Sequence, residues 1–208
     1  MDKKTKLIVI IVAAAVALCA LIGGIVAIVL ANMQYDVYVV EIDVKDFGSI
    51  TARLDARSAP ITVKNFIKLA ESGFYEGVGF HRAAKGFVIQ GGDPTGTGGG
   101  GSDEQIYGEF SKNGYDGNAI KHVAGVISMA RSNDMNSASS QFFITIGDAR
   151  NSLDGLYAGF GYIDDEDMEI VNDIAEYMLE HVTGEVIKNL DLQPKINSVK
   201  VVGKYNID

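Results

Sequence analysis

The stretch Phe80-His81-Arg82-Ala83-Ala84-Lys85-Gly86-Phe87-Val88-Ile89-Gln90-Gly91-Gly92-Asp93 decides how this chain is read. It reads as two short strands joined by a Lys-Gly turn. Side chains alternate along a strand, so Phe80 and Arg82 are expected on one face, and Val88 and Gln90 on one face of the second strand. An arginine, a side-chain amide and several apolar groups then converge on one patch. An arginine beside aromatic rings is costly to bury unless it is paired. Taken alone, Arg82 reads as a structural arginine in a sheet. His81 alternates with Arg82 and is expected inside, as a hydrogen-bonded core histidine. The run Ser139-Ser140-Gln141-Phe142-Phe143-Ile144 adds a second amide and two more rings on a strand-like segment.

Outward from that stretch, Val37 to Val44 and Ser49 to Leu54 read as a hairpin around Asp46-Phe47-Gly48. Ala59-Pro60 opens a helix with Val63, Phe66, Ile67 and Ala70 on its inner stripe, and Gly73 stops it. A glycine-rich loop is expected between Gly91 and Gln105. It holds a literal G-x-G-x-x-G at Gly96, Gly98 and Gly101. A dinucleotide site needs a helix directly after such a loop, and here acidic residues and Gly108 follow, so nucleotide binding is set aside. Glu109 to His122 reads as an irregular connection. Val126 to Ala130, Ser140 to Ile146, Ala158 to Ile163 and Lys195 to Val202 read as strands, and Asn151 to Gly155 as a turn. Asp164-Asp165-Glu166-Asp167 places negative charge ahead of a helix from about Met168 to about His181. It lacks the spaced ligands of a calcium loop. Two helices and about eight short strands suggest a closed antiparallel barrel.

The 208 residues carry a formal charge of −9, with 24 glycines, three prolines and one cysteine. A domain this acidic is not expected to bind nucleic acid through phosphate contacts. Cys19, the one cysteine, rules out an internal disulfide and any cysteine-metal site in the domain. His81, His122 and His181 share no metal-like spacing, and no metal or cofactor is expected.

Leu7 to Ala31 is free of charged residues. As a helix of about 1.5 Å per residue it would span roughly 37 Å, enough for a hydrocarbon core of about 30 Å. Lys3, Lys4 and Lys6 precede it, which by the positive-inside bias puts residues 1–6 in the cytoplasm. The expected organisation is a basic N-terminus (1–6), a transmembrane signal anchor (7–31), a short tether (32–34) and an extracytoplasmic domain (35–208). A cleaved signal peptide ending near Ala31 is the main rival. Its apolar region would be about 7–15 residues, shorter than this run. A lipoprotein starting at Cys19 is a second rival, but the chain stays apolar after that residue.

Four motifs in order, F-H-R-x-x-x-G-F-x-x-Q-G-G-D from Phe80, S-M-A-R from Ser128, S-A-S-S-Q-F-F-I from Ser137 and L-D-G from Leu153, resemble the cyclophilin peptidyl-prolyl isomerases. The similarity runs from about Tyr35 to about Tyr205. From Ile106 to Ile144 it is closer to bacterial members than to eukaryotic cytosolic ones. The resemblance implies a mainly β fold, an eight-stranded antiparallel barrel capped by two helices. It implies Arg82 as the catalytic arginine, with Phe87 and Gln90 beside it. Phe87, Val88, Phe143 and Leu153 match the walls of the proline pocket. Gln90 and Gln141 match the groups that hold the peptide backbone. Ala130 and Arg131 match the strand that pairs with substrate. Gly96 and Thr97 match the neighbouring groove, and Tyr157 stands where eukaryotic members carry histidine. Val88 replaces the usual methionine, and Ser152 a tryptophan.

The residues themselves agree with such chemistry. The patch offers no apparent nucleophile–base pair, carboxylate pair or ligand set, which suits a reaction that cleaves no bond. Prolyl rotation is one: its barrier is about 18–20 kcal/mol and it is slow unaided. The expected partners are proline-containing peptides and newly exported or unfolded proteins, met by a monomer. A binding module without turnover, or a chaperone with incidental isomerase activity, would use the same groove.

Overall fold

The computed structural model describes residues 35–207. The readings for residues 1–6, 7–31 and 32–34 lie outside the described residues. Among the described residues no helix is long and apolar enough to cross a membrane.

Eight strands form one antiparallel sheet: β1 (Val37–Val44), β2 (Gly48–Asp55), β3 (Gly79–Ala84), β4 (Val88–Asp93), β5 (Val126–Met129), β6 (Phe142–Thr145), β7 (Gly159–Ile163) and β8 (Ile196–Tyr205). Their lateral order is β3-β4-β6-β5-β7-β2-β1-β8. The sheet curls until its edges meet. No ladder joins β3 to β8. One bridge, Gly79 to Lys195, and the Phe80 N–H to Pro194 carbonyl bond at 2.9 Å bring them together. The closed barrel read from the sequence is thus a curled eight-stranded sheet with a bridged seam.

Helix α1 (Pro60–Glu71) and helix α3 (Met168–His181) pack on the sheet, and a single turn, α2 (Arg150–Leu153), lies between them in sequence. The segment read as a plain turn from Asn151 therefore contains a helical turn, closed by the Leu153 N–H to the Ala149 carbonyl. The apolar stripe of α1 is as expected, with Val63, Phe66, Ile67 and Ala70 buried; on α3 Val171, Ile174 and Met178 are buried and Ile170 packs on the core half-buried. Inward residues of the strands, among them Val40, Ile42, Ile50, Leu54, Ile89, Ile127, Phe142 and Ile144, complete one core.

Helix α1 begins without a capping side chain, because Ala59 cannot accept a hydrogen bond. Glu109, fully buried, takes that place from a distant loop. Its carboxylate accepts from the N–H groups of Ile61 and Thr62 at 2.9 and 2.8 Å, and from the Thr62 hydroxyl at 2.7 Å. The orphan donors at the start of a helix need such partners when they are buried.

The deciding hairpin differs from simple alternation in one respect. Phe80 pairs with Gly91 while Arg82 pairs with Gln90, so His81 is an extra residue in β3. This bulge reverses the parity of the strand. Phe80 joins the core, and Arg82 turns to the outer surface. The expectation that Phe80 and Arg82 share a face fails for this reason. A second irregularity falls at Gly92, which adopts φ +88°. The loop expected from Gly91 starts only after Asp93, because Gly91 to Asp93 belong to β4.

Candidate active site

The outer face of the sheet carries a second, smaller apolar cluster, built from Ala84, Val88, Phe143, Ala149 and Leu153, with Phe87, Ala130 and Tyr157 packed on it. Strand register explains the assembly. Arg82 pairs with Gln90, Gln90 with Phe143, and Phe143 with Ser128, so one lateral row crosses β3, β4, β6 and β5. Alternation then sends Ile89, Phe142 and Ile144 inward to the main core and Val88, Gln90 and Phe143 outward. Leu153 and Ser152 on α2, and Tyr157 just after it, close the opposite wall.

The result is a cavity of about 260 Å³ lined by Arg82, Phe87, Val88, Gln90, Ala130, Arg131, Phe143, Ser152, Leu153 and Tyr157. An adjoining, more polar cavity of about 390 Å³ runs past Gln90, Gln141, Ala130 and Arg131 to Gly98–Gly101, Ser102, Gln105, Ser132, Ser137 and Ser139. Gly96 and Thr97, the groove residues expected from the sequence, line neither cavity. Gly96 is buried against Leu190 and Gln193, and the Thr97 hydroxyl meets that of Thr95 at 2.8 Å. The neighbouring glycines 98 to 101 line the polar cavity.

A hydrogen-bonded chain fixes the polar groups. Arg82 Nη1 donates to Gln90 Oε1 at 3.2 Å, Gln90 Nε2 donates to Gln141 Oε1 at 2.9 Å, and Gln141 Nε2 donates to the carbonyls of Gly98 and Gly100 at 3.1 and 2.6 Å. On its other edge Arg82 Nε donates to Glu185 Oε2 at 2.9 Å. Arg131 is held elsewhere. Its Nε and Nη2 donate to the Leu156 carbonyl, and its guanidinium lies 4.6 Å from the centre of the Tyr157 ring and 5.1 Å from that of Phe110. It therefore serves as the ridge between the two cavities and braces Tyr157 by a cation–π contact.

The glycine loop is organised around a carboxylate of its own chain. Asp93 accepts from the N–H groups of Thr95, Thr97, Gly98 and Gly100 at 2.8, 3.1, 2.6 and 3.1 Å. These are the donors that a phosphate would need in a nucleotide loop, and no helix follows the loop directly. Burial pushes the Asp93 carboxyl up, but the bonds from Thr95, Gly100 and Gly98 outweigh it and hold it below the usual carboxylate range.

Two histidines stand behind the site. His122 stacks on Phe143 at 6.1 Å between ring centres, its Nδ1 is 3.0 Å from Asp154 Oδ1, and its Nε2 is 3.0 Å from Ser128 Oγ. The order Ser-His-Asp is that of a nucleophilic triad, yet Ser128 and His122 are buried and line neither cavity. They support Phe143 from beneath. The sequence reading placed His122 in a loop and did not foresee this support. His81 is buried as expected, but among the described residues neither ring nitrogen has a hydrogen-bond partner, which differs from the expectation of a hydrogen-bonded histidine. The bulge points its ring at the underside of Gly98, away from any strand partner.

Burial lowers the pKa of both histidines below the ordinary 6.5, only partly offset for His122 by Asp154 and for His81 by Asp93. Both are then neutral in the folded state, while the unfolded chain takes up protons from 6.5 downward. Stability is full above that pH and declines as pH falls from 6.5 through the folded pKa values. Urea midpoints should therefore be lower at pH 5 than at pH 7.5. Equal midpoints would contradict the assigned neutral state of the pair.

The sequence model described as cyclophilin type peptidyl-prolyl cis-trans isomerase/CLD matches residues 39–201, more than half of the chain. The chain belongs to the cyclophilin family. A peptidyl-prolyl cis-trans isomerase of Synechococcus elongatus is 41% identical over 128 residues, 61% of this chain and 82% of that protein. The peptidyl-prolyl cis-trans isomerase-like 2 of Aspergillus fumigatus is 45% identical over 120 residues, 57% of this chain, and the match spans only 20% of that longer protein. Among solved structures, a cyclophilin type peptidyl-prolyl cis-trans isomerase of Cryptosporidium parvum superposes with a TM-score of 0.69 at 30% identity, covering 81% of this chain and 99% of that one. These similar proteins include a cyanobacterial and two eukaryotic ones, so they do not single out bacterial cyclophilins. The motif-bearing strands of this cyclophilin, β3, β4 and β6, are the ones that build the cavity, and the eight-stranded sheet with its two long helices is the cyclophilin architecture that the resemblance implied.

Proposed function

We propose that this cyclophilin catalyses cis/trans rotation about X-Pro bonds, on peptides and folding proteins outside the cytoplasmic membrane. The observation that carries the reaction is a guanidinium held at the rim of a small cavity walled by apolar rings and chains, whose lining includes Ser152 but no histidine, cysteine or carboxylate that could activate it. The proline ring seats against Phe87, Val88, Phe143 and Leu153. Gln90 and Gln141 hold the flanking peptide carbonyl and N–H groups, and the backbone at Ala130 pairs with the substrate strand. Rotation breaks amide resonance, so the imide nitrogen turns pyramidal and regains its lone pair. Arg82 donates a hydrogen bond to that nitrogen. The bond is stronger in the twisted state than in the planar one, which is differential stabilisation of the transition state by a preorganised donor. No covalent intermediate forms and no cofactor takes part.

The location rests on residues 1–34. The uncharged run from Leu7 to Ala31 with Lys3, Lys4 and Lys6 before it supports a signal anchor with the domain outside. Protease added to intact cells, or to protoplasts where a wall shields the surface, is expected to remove the domain and leave a short membrane fragment. A chain that stays whole until the membrane is broken would place the domain on the inner side. Release of the whole domain into the medium without protease would mean cleavage near Ala31.

A further inference from the structure

Arg82 is clamped on two edges, and the Gln90 side is only one of them. On the other edge a single carboxylate oxygen, Glu185 Oε2, accepts from both Nε and Nη2 of the guanidinium. Glu185 does not reach Arg82 from a free loop. Its backbone is stitched to β3: Ala83 N–H donates to the Glu185 carbonyl at 2.9 Å, Ile187 N–H donates to the His81 carbonyl at 2.9 Å, and Arg82 forms a bridge with Val186. The segment turns back through Gly184 at φ +73°, closed by the Thr183 N–H to the Val186 carbonyl at 2.9 Å. Backbone pairing thus delivers the carboxylate to the arginine, and among the described residues it is the carboxylate that pairs with Arg82.

We infer that Glu185 is a positioning residue that sets the plane of the Arg82 guanidinium for X-Pro rotation; the inference rests on the reading of Arg82 as the donor to the imide nitrogen. A guanidinium is a flat fork of five N–H donors. Two are taken by Glu185 and one by Gln90, which fixes the plane at both edges and leaves two donors for substrate. A twisted amide presents its lone pair along one direction, so a donor free to rotate loses much of its advantage. The pair itself adds little to stability, because Glu185 is half exposed and solvent screens it. Its contribution is orientation. It follows that an uncharged acceptor of the same length preserves it, whereas loss of the acceptor does not.

The test uses the full chain in detergent and a proline peptide, with Glu185→Ala and Glu185→Gln made in the native and in the Arg82→Ala backgrounds. Glu185→Ala is expected to lower kcat about fivefold with KM nearly unchanged, since the lost interaction matters in the transition state and not in binding. Glu185→Gln, whose amide oxygen accepts the same two bonds, is expected to recover at least about half of the native kcat. In the Arg82→Ala background, Glu185→Ala is expected to cost nothing more, because it acts through Arg82. A native kcat in Glu185→Ala, a Gln variant no better than Ala, or an equal loss in the Arg82→Ala background would each overturn the inference. Full activity of Arg82→Ala alone would instead overturn the reading of Arg82 on which it rests.

Discussion

Arg82→Ala should slow X-Pro rotation at least about tenfold, roughly 1.4 kcal/mol of barrier, while the domain stays folded. The guanidinium sits at the rim of the smaller cavity and donates to Gln90 and Glu185, both of them partly exposed. Neither partner is left buried and unsatisfied by its removal, so the cost falls on the reaction and not on the fold. Arg82→Lys should be nearly as slow. An ammonium group has no planar fork and cannot hold Gln90 and Glu185 while donating in a third direction. Circular dichroism and thermal melting would confirm that both variants are folded, and turnover of a proline peptide gives the effect. A folded Arg82→Ala variant with the native rate would remove Arg82 from the mechanism.

Gly92→Ala is the second large effect, and it falls on the fold. Gly92 is the bulge residue of β4 at φ +88°, a region side chains rarely adopt. An added Cβ would run into the Ser140 carbonyl oxygen and come within 2.9 Å of Gln141 Cα, both of them backbone that cannot step aside alone. Backbone strain and overpacking each cost about 1–3 kcal/mol, so a loss of roughly 3 kcal/mol or more is expected. For a domain of this size that lowers Tm by about 10 °C. The atoms displaced are those that carry Gln141, so turnover should fall at temperatures where the variant is still folded. A melting curve matching the native one would mean that the β4–β6 register is not as described.

These two sites also show what a sequence makes legible. Strand β1 and helices α1 and α3 fall where periodicity places them, because their inward residues repeat at the spacing of the element. Val88, Gln90 and Phe143 converge as the motifs imply, since alternation alone sends them to one face, and Leu153 meets them from the helical turn α2. The parity of Arg82 was not legible. It depends on the bulge at His81, and a bulge shows only against its partner strand. Glu109 at the start of α1 and Glu185 on Arg82 act across 48 and 103 residues respectively, and no local pattern marks either. That Gly98–Gly101, and not Gly96 and Thr97, line the polar cavity has a related reason. Asp93 gathers the loop inward around its carboxylate, and that fold of the backbone decides which glycines face the groove.

The support beneath the cavity raises a chemical alternative that the geometry answers. Ser128, His122 and Asp154 are connected as in a hydrolase, but Ser128 is fully buried and its hydroxyl is engaged by His122. A peptide in the cavity would meet Phe143 first. The chain of three therefore holds the ring that forms one wall for proline, and hydrolysis is not expected.

The most direct measurement of the central claim follows the substrate and not the protein. Magnetisation-exchange NMR on an X-Pro peptide reports the cis and trans signals separately, together with any new species. With a small amount of the full chain in detergent, the account predicts faster exchange between the two signals, an unchanged cis fraction and an intact peptide. Exchange at the uncatalysed rate, or the appearance of cleaved or covalently altered peptide, would contradict it.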